Sequence, residues 1–119
     1  MRRDAERVPL FGLGCAGGVT GLAVAARLAA PGKTVLFVTV ELCSTSIRLD
    51  KLSKANIVAT ALFGDGAAAA ALRGGEGGLA TVEGAGEMLW PDTLRIMGCD
   101  VEDPGLGVVF DRAIPPFLT

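Results

Sequence analysis

The stretch LFGLGCAGGVTGL, Leu10–Leu22, combines two motifs with different chemistry. Gly12, Gly14 and Gly17 form the pattern G-x-G-x-x-G, which is typical of a tight turn between a strand and a helix. Cys15 lies inside that turn, where the start of a helix leaves backbone amides unpaired. The stretch therefore predicts an α/β unit whose turn holds either a phosphate or a nucleophilic sulfur.

The segments on both sides of this turn predict alternating strands and helices. RVPLFGL (7–13) predicts a short buried strand, and VTGLAVAARLAA (19–30) predicts a helix that is apolar on most sides. TVLFVTVEL (34–42) is continuous, β-branched and apolar, as strands buried on both faces are. A polar loop follows, and then KLSKANIVATALF (51–63) predicts a second helix. The expected core contacts of that helix are Leu52, Ala55, Ile57, Ala59 and Leu62.

The rest of the chain predicts mainly strands. AAAAALRGG (67–75) fits a helix by the propensity of alanine and a buried strand by its flanking glycines, and both remain open. GLATVEGAGEMLW (78–90) alternates loosely, as an edge strand does. LRIMGCDVEDPGLGVVFDR (94–112) divides at EDPG into the two strands of a hairpin. The order of elements predicts one α/β domain.

Composition narrows the class of protein. Half of the 119 residues are hydrophobic, 20% are charged and the net charge is −2, so the chain forms a core and shows no basic surplus for nucleic acid or a membrane surface. The chain contains no histidine, which removes the usual general base and metal ligand. Cys15, Cys43 and Cys99 are widely spaced and predict free thiols in a reducing cytoplasm, without a metal. A solvated face is expected from Arg48, Lys51 and Lys54.

The N-terminus predicts neither export nor membrane insertion. Acidic residues interrupt its basic start, and the uncharged run before Cys15 is shorter than the apolar region of a signal peptide. The longer uncharged window, Val8–Ala26, contains Pro9 and several glycines and is followed by Arg27.

Two interpretations of the turn remain open from the local pattern. For a dinucleotide, Glu41 follows Gly17 by 24 residues, near the spacing at which a carboxylate reaches a ribose hydroxyl. For a nucleophile, the amides and the dipole at the helix start would favour the thiolate of Cys15 and hold the oxyanion of an acyl group under attack. A buried structural cysteine is the third, non-functional alternative.

Four segments together give the chain a family resemblance. FGLGCAGG, VELCS, LSKANIVATALFGDGAAAAAL and MGCDVEDPGLGVVFDRAIP, in this order and spacing, resemble the bacterial type III polyketide synthases, which are chalcone and stilbene synthase-like enzymes. The resemblance covers about Val8–Leu118. It implies an α/β fold that is part of the N-terminal half of a thiolase-like fold, a layered α-β-α arrangement with a mixed sheet, here truncated. Residues 1–119 would form a partial N-terminal domain, with the second domain absent.

The resemblance also implies roles for single residues. Cys15 would be the catalytic nucleophile that carries the starter and the growing chain. Phe63 would be the pocket phenylalanine between the access tunnel and the cavity, where it assists decarboxylation. Cys43 and Ser46 would line the cavity and tune the size of the starter and the product.

Other positions carry structural roles or depart from the family. Glu41 would be a scaffold residue and not a ribose ligand, and Asp65 would hold the turn into the strand of small residues. Cys99 stands where the family usually has tryptophan, and Ile47 replaces a usual aromatic residue. These two departures affect local packing and cavity shape.

The implied reaction is decarboxylative condensation of malonyl-CoA onto a cysteine-bound acyl starter. Acyl-CoA and malonyl-CoA would be substrates, with no bound cofactor, no metal, no nucleic acid and no membrane, and the full-length enzymes are homodimers. The catalytic His and Asn of the family lie in its second half. We therefore expect these 119 residues to be an incomplete fragment that is inactive alone and prone to associate.

Three alternatives accompany this interpretation. Another thiolase-fold enzyme, such as a β-ketoacyl synthase III-like or hydroxymethylglutaryl-CoA synthase-like protein, would share the cysteine and the GDGA segment. A Rossmann nucleotide-binding module would use Gly12, Gly14 and Gly17. A non-catalytic subunit would pair with a chain that supplies the His and Asn.

Overall fold

The structure is a computed structural model that describes residues 2–48, 50–103, 105–111 and 114. It divides into two compact units. The first contains Met1–Thr39 and Ala69–Glu87, and the second contains Val40–Ala68 and Met88–Thr119. Helices and strands occur in both units, so the α/β character predicted from the sequence is present in the structure.

In the first unit, a 3₁₀ turn at Gly14–Ala16 leads directly into helix α1, Gly17–Leu28. Gly21 and Ala25 are the buried residues of α1, and their spacing of four places them on one face. A Cβ atom added at Gly21 would lie 2.5 Å from Cε2 of Phe37, so the absence of a side chain at Gly21 makes room for that ring. The predicted helix is thus confirmed, and it packs through its small residues.

Strand β1, Thr34–Glu41, pairs with strand β2, Gly66–Arg73. The alanine run therefore forms a strand and not a helix, which resolves the ambiguity of the sequence. Side chains of β1 alternate between half-buried and exposed, and Leu36, Val38 and Val40 are each more than half exposed. The prediction that this strand is buried on both faces is wrong for the described residues, because only one face of β1 meets a packing partner among them.

In the second unit, helix α2, Lys54–Leu62, begins at Ser53, whose hydroxyl accepts the backbone N–H of Asn56 at 3.2 Å. Strands β3, Met97–Glu102, and β4, Gly105–Phe110, form an antiparallel hairpin. The register pairs Met97 with Phe110 at the open end and Glu102 with Gly105 at the turn. The hairpin predicted from EDPG is confirmed.

Few hydrophobic side chains are fully buried. Among the described residues, only Ala25 and Ala59 are buried apolar residues, and Asn56 is the buried polar one. Of the core contacts predicted for segment 51–63, Ala59 is confirmed and Ala55 is half-buried. The prediction is wrong at three positions whose exposed fractions are 74%, 56% and 68%, namely Leu52, Ile57 and Leu62. The buried residues of this short helix are Asn56 and Ala59, and the side-chain amide of Asn56 donates to the Lys51 carbonyl at 2.7 Å.

Two predicted strands are absent from the described residues. Segments 7–13 and 78–90 contain no strand, and Phe11 is 95% exposed. An extended segment becomes a strand only when a neighbour accepts and donates its backbone hydrogen bonds, and no described segment pairs with these two. In the part of the chain that the structure describes, no helix has the length and apolar character needed to cross a membrane.

Candidate functional site

Cys15 lies at the middle of the 3₁₀ turn and is exposed. The turn is possible because Gly12 and Gly14 adopt φ angles of +82° and +52°, which residues with a side chain rarely adopt. The backbone N–H of Gly17 closes the turn on the Gly14 carbonyl, and α1 begins there. The sulfur therefore stands at the entrance to the helix, flanked by residues without bulky side chains.

Apart from the Gly17 N–H, which bonds the Gly14 carbonyl, the amides at the start of α1 have no capping side chain within the described residues. Within the described residues, the capping position, Ala16, makes no side-chain hydrogen bond, and the first turn has no acidic side chain. The first N–H groups of a helix lack intrahelical acceptors and together with the helix dipole attract negative charge. This end of α1 can therefore receive an oxyanion close to Cys15.

Two observations disfavour the interpretation of this turn as a phosphate-binding site. A dinucleotide turn follows a strand, and residues 7–13 form none among the described residues. The carboxylate proposed for the ribose, Glu41, is exposed and accepts the backbone N–H of Leu42 at 3.1 Å. The glycines thus serve the tight approach to α1.

Cys43 and Ser46 lie at the two ends of a second 3₁₀ turn, Cys43–Ser46, which we call the pocket turn. Cys43 is half-buried and Ser46 is exposed. The Leu42 carbonyl accepts both the backbone N–H and the hydroxyl of Thr45, at 3.0 and 2.7 Å. The sequence indicated only a polar loop here, because a 3₁₀ turn of four residues leaves no periodic pattern.

Asp65, which is distant in the sequence, is hydrogen-bonded to the pocket turn. The backbone N–H of Ser44 donates to Asp65 Oδ1 at 2.7 Å, and its hydroxyl donates to Oδ2 at 2.6 Å. The hydrogen bonds from the side chain and then the backbone of Ser44 lower the pKa of Asp65 below its usual 3.8. Asp65 therefore does more than hold the turn into β2, which was the role expected from the sequence.

Phe63 ends α2 and is half-buried. Its ring packs against Phe110 of β4 with the centroids 5.8 Å apart and the planes tilted by 35°. Phe63 precedes Asp65 by two residues, so the Ser44–Asp65 contact joins the segment of Phe63 to the pocket turn. The second unit thus connects three of the four predicted site residues, whereas Cys15 belongs to the first unit.

The sequence missed a charged network on the second unit. The side chain of Arg48 is only 12% exposed and donates to Asp50 at 2.8 and 2.7 Å and to Glu102 at 3.4 Å. Lys51 Nζ lies 2.9 Å from both oxygens of Glu102. Gly107 is buried beside this carboxylate. A Cβ atom added at Gly107 would lie 2.5 Å from Glu102 Oε1, so the carboxylate occupies the space of a side chain there. The expected solvated face is therefore wrong for Arg48, which ties the loop after the pocket turn to the hairpin.

The Arg48–Asp50 pair predicts a measurable titration. The hydrogen bond from Arg48 lowers the pKa of Asp50 from 3.8 to about 2. Because the folded pKa is depressed, the stabilisation is present above pH 3.8 and is lost as the pH falls through about 2. We expect the Asp50 carboxyl carbon to titrate at about 2 in ¹³C NMR spectra, and in Arg48→Ala its midpoint returns toward 3.8.

The matched control for this titration is Arg95→Ala. Arg95 is exposed and pairs with Asp100 at 2.9 Å, away from Asp50 in sequence and partners. The control should leave the Asp50 midpoint at about 2. An Asp50 midpoint that does not move in Arg48→Ala contradicts the assignment.

The described residues include a shallow groove in each unit. A groove of about 350 Å³ lies between α1 and residues 82–87, and one of about 240 Å³ is lined by α2 residues with Arg48 and Leu52. Neither groove is lined by any of the four predicted site residues. Within the described residues, no cluster of three or more His, Cys, Asp or Glu side chains is placed to hold a metal ion.

Known proteins similar to this chain include a tetrahydroxynaphthalene synthase and a putative chalcone synthase. A 1,3,6,8-tetrahydroxynaphthalene synthase of Streptomyces peucetius subsp. caesius is 45% identical over 97% of this chain and 32% of its own length. A putative chalcone synthase of Bacillus subtilis is 39% identical over 95% of this chain and 34% of its own length. The chain thus spans about one third of the length of the curated relatives it matches.

A solved structure of a synthase is also similar to this chain. The crystal structure of 1,3,6,8-tetrahydroxynaphthalene synthase from Streptomyces coelicolor A3(2), a bacterial type III polyketide synthase, is similar with a TM-score of 0.86 and 32% identity. The match covers 93% of this chain and 32% of that one, so the predicted thiolase-like α/β fold, present in part, is confirmed. Residues 1–76 match the family described as chalcone and stilbene synthases, N-terminal domain. The chain therefore belongs to the chalcone and stilbene synthase family, among the type III polyketide synthases.

Proposed function

We propose that this chain carries the nucleophile of a type III polyketide synthase and accepts an acyl group on Cys15. One observation carries the proposal: Cys15 is exposed in a glycine turn at the start of a helix whose first amides have no side-chain cap within the described residues. Residues 1–119 then act as a partial N-terminal domain. The family membership of the chain supports the reaction class.

The first step is the transfer of an acyl group between two sulfur atoms. The sulfur of Cys15 attacks the carbonyl carbon of an acyl-CoA thioester, and negative charge develops on the carbonyl oxygen. The carbonyl re-forms as the bond to the coenzyme A sulfur breaks, and coenzyme A leaves as the thiol with the proton from Cys15. The amides at the start of α1 are suited to hold the transient oxyanion.

The second step extends the chain by two carbons. Malonyl-CoA loses carbon dioxide, and the electron pair of the broken bond forms an enolate. The enolate carbon attacks the thioester carbonyl on Cys15, a carbon–carbon bond forms, and the sulfur of Cys15 leaves. Phe63 assists the decarboxylation, and Cys43 and Ser46 form part of the pocket wall, as the resemblance implies. The coenzyme A thioesters are substrates, and no bound cofactor takes part.

The enolate step needs hydrogen-bond donors that stabilise the negative charge of the enolate. The sequence has no histidine, and the resemblance assigns the donors to a His and an Asn of the family's second half. We expect acyl loading to be separable from condensation. The 119 residues would load Cys15, and the inactivity expected from the sequence would then concern only the decarboxylation of malonyl-CoA and the condensation. The homodimer of the family is the expected assembly of the whole enzyme.

Intact-mass spectrometry tests this proposal. The purified chain is incubated with a medium-length acyl-CoA, and the mass increase of one acyl group is expected, mapped by digestion to the peptide that contains Cys15. In parallel, malonyl-CoA is incubated with the chain and carbon dioxide release is measured. A chain that loads no acyl group contradicts the proposed role of Cys15, and sustained decarboxylation contradicts the proposed division of the site.

A further inference from the structure

The contact between Asp65 and Ser44 joins two segments that carry proposed pocket residues. Ser44 lies inside the pocket turn, between Cys43 and Ser46, and Asp65 follows Phe63 by two residues. Both carboxylate oxygens of Asp65 are used on Ser44, at 2.7 Å from its backbone N–H and 2.6 Å from its hydroxyl. The contact therefore fixes the position and the orientation of Ser44 relative to the end of α2.

The direction of these hydrogen bonds distinguishes two roles for Asp65. An aspartate that only supports its own turn accepts N–H groups one to three residues further along the chain. Asp65 instead bonds a residue 21 positions earlier in the sequence. Charge-assisted hydrogen bonds of this length are the strong class, so the pocket turn depends on a group outside it.

We infer that Asp65 is a positioning residue that holds the pocket turn, and with it Cys43 and Ser46, in place beside the segment of Phe63. Asp65 acts through Ser44 and does not itself touch the substrate. The inference rests on the proposed function only in that Cys43 and Ser46 are pocket residues there. Its consequence is that the size of the acyl group accepted depends on Asp65 as well as on the residues of the turn.

The reactivity of Cys43 reports the order of the pocket turn without any turnover. In a chain with Cys15→Ser and Cys99→Ser, Cys43 is the only thiol. The rate of its reaction with 4,4′-dithiodipyridine is measured at neutral pH, and far-UV circular dichroism confirms that each variant keeps its secondary structure. Since Cys15 is absent from this background, failure of acyl loading does not affect the result.

Asp65→Ala is expected to raise the Cys43 rate about tenfold, as the loss of one charge-assisted hydrogen bond would. Asp65→Asn should restore most of the slow rate, because its amide oxygen accepts the Ser44 N–H and its amide nitrogen can donate to the Ser44 hydroxyl. Ser44→Ala removes only the hydroxyl contact and should give an intermediate rate. If Asp65→Ala does not fold, the Ser44→Ala variant carries the test alone.

The matched control is Asp100→Ala, which removes an exposed aspartate of the same unit that pairs with Arg95. Its Cys43 rate should equal that of the parent chain. Equal rates in Asp65→Ala and Asp100→Ala overturn the inference. A rise in Asp65→Ala that Asp65→Asn does not reduce also overturns it, because the hydrogen-bonding geometry would then not be the cause.

Discussion

Cys15→Ser is expected to abolish the acyl loading of this chain by acyl-CoA. The hydroxyl of serine is a far weaker nucleophile than a cysteine thiol at neutral pH, and this turn supplies no base for it, since the chain has no histidine. The glycine turn itself is unchanged by the substitution, because serine is close in size to cysteine. The measurement is the fraction of protein that carries one acyl group by intact-mass spectrometry.

The size of this effect follows from how nucleophilic catalysis works. Removal of the atom that forms the covalent bond leaves no route to the acyl-enzyme, so the loss is complete rather than graded. Removal of a group that only stabilises the oxyanion would leave a residual reaction slower by about 10² to 10³. The Cys15→Ser variant should therefore show no acylated protein at times when the parent chain is fully loaded.

Cys99 provides the matched control, because it is exposed like Cys15 but lies in a strand of the hairpin, away from any helix start. Cys99→Ser should load as the parent chain does. If exposure alone governed acylation, Cys99 would carry acyl groups in the Cys15→Ser variant. Loading of Cys99 to the level of the parent chain would contradict the assignment of the nucleophile.

Local patterns in the sequence predicted the elements that depend on local chemistry. The small-residue run after the glycine turn forms α1, the β-branched run 34–42 forms β1, and EDPG separates the two strands of the hairpin. Each depends on capping, turn or propensity signals within a few residues. The tight turn that contains Cys15 was predictable for the same reason, because its glycines are contiguous with Cys15, whereas the local pattern left its chemical role open.

Pairing and burial were not predictable in the same way. Residues 7–13 and 78–90 have strand-like composition, but a strand requires a partner, and the described chain supplies none for them. The expected core residues of α2 are apolar at suitable spacing, yet Leu52 and Leu62 are exposed because burial requires a surface to pack against. Periodicity states which face is apolar and not what covers it.

The contacts that organise the site join residues far apart in sequence. Ser44 and Asp65 are 21 positions apart, and Arg48 and Glu102 are 54 apart. From its sequence neighbours alone, Asp65 is typical of a turn residue and Arg48 is typical of an ordinary surface charge. The Ser44–Asp65 and Arg48–Glu102 contacts form only in the folded chain, so they are identified by distances and not by sequence motifs.

The sequence also does not show which of the glycines after β2 the fold requires. One of them, Gly74, gives a second prediction with a large expected effect. RGGEGG indicates only the end of a strand, because any of its glycines could serve as the breaker. In the structure, Gly74 forms a bridge with Pro31, next to the connection between α1 and β1. A Cβ atom at Gly74 would lie 2.6 Å from the Ala29 carbonyl oxygen and 2.9 Å from backbone atoms of Ala30 and Pro31.

Gly74→Ala is therefore expected to destabilise the chain by about 1–3 kcal/mol, the usual range for overpacking. The neighbouring atoms are backbone and are held in place by hydrogen bonds. Ala29 and Ala30 donate their N–H groups to carbonyls at the end of α1, at 3.0 and 2.9 Å, and Lys33 donates to the Ala30 carbonyl at 2.9 Å. The obstruction therefore cannot be relieved by a rotation of a side chain. In urea unfolding, the midpoint should fall by roughly 1 M for a slope of about 2 kcal/mol per M.

Gly84→Ala is the matched control, because it makes the same chemical change in the same unit at a glycine with no atom within 4 Å of the added Cβ. Its free energy of unfolding should stay within about 0.5 kcal/mol of that of the parent chain, as is usual for surface substitutions away from special backbone features. A loss of stability in Gly74→Ala alone would assign the effect to the close approach of the α1–β1 connection. Equal midpoints in the two variants would show that this approach is not fixed, since the backbone would then have moved to admit the methyl group.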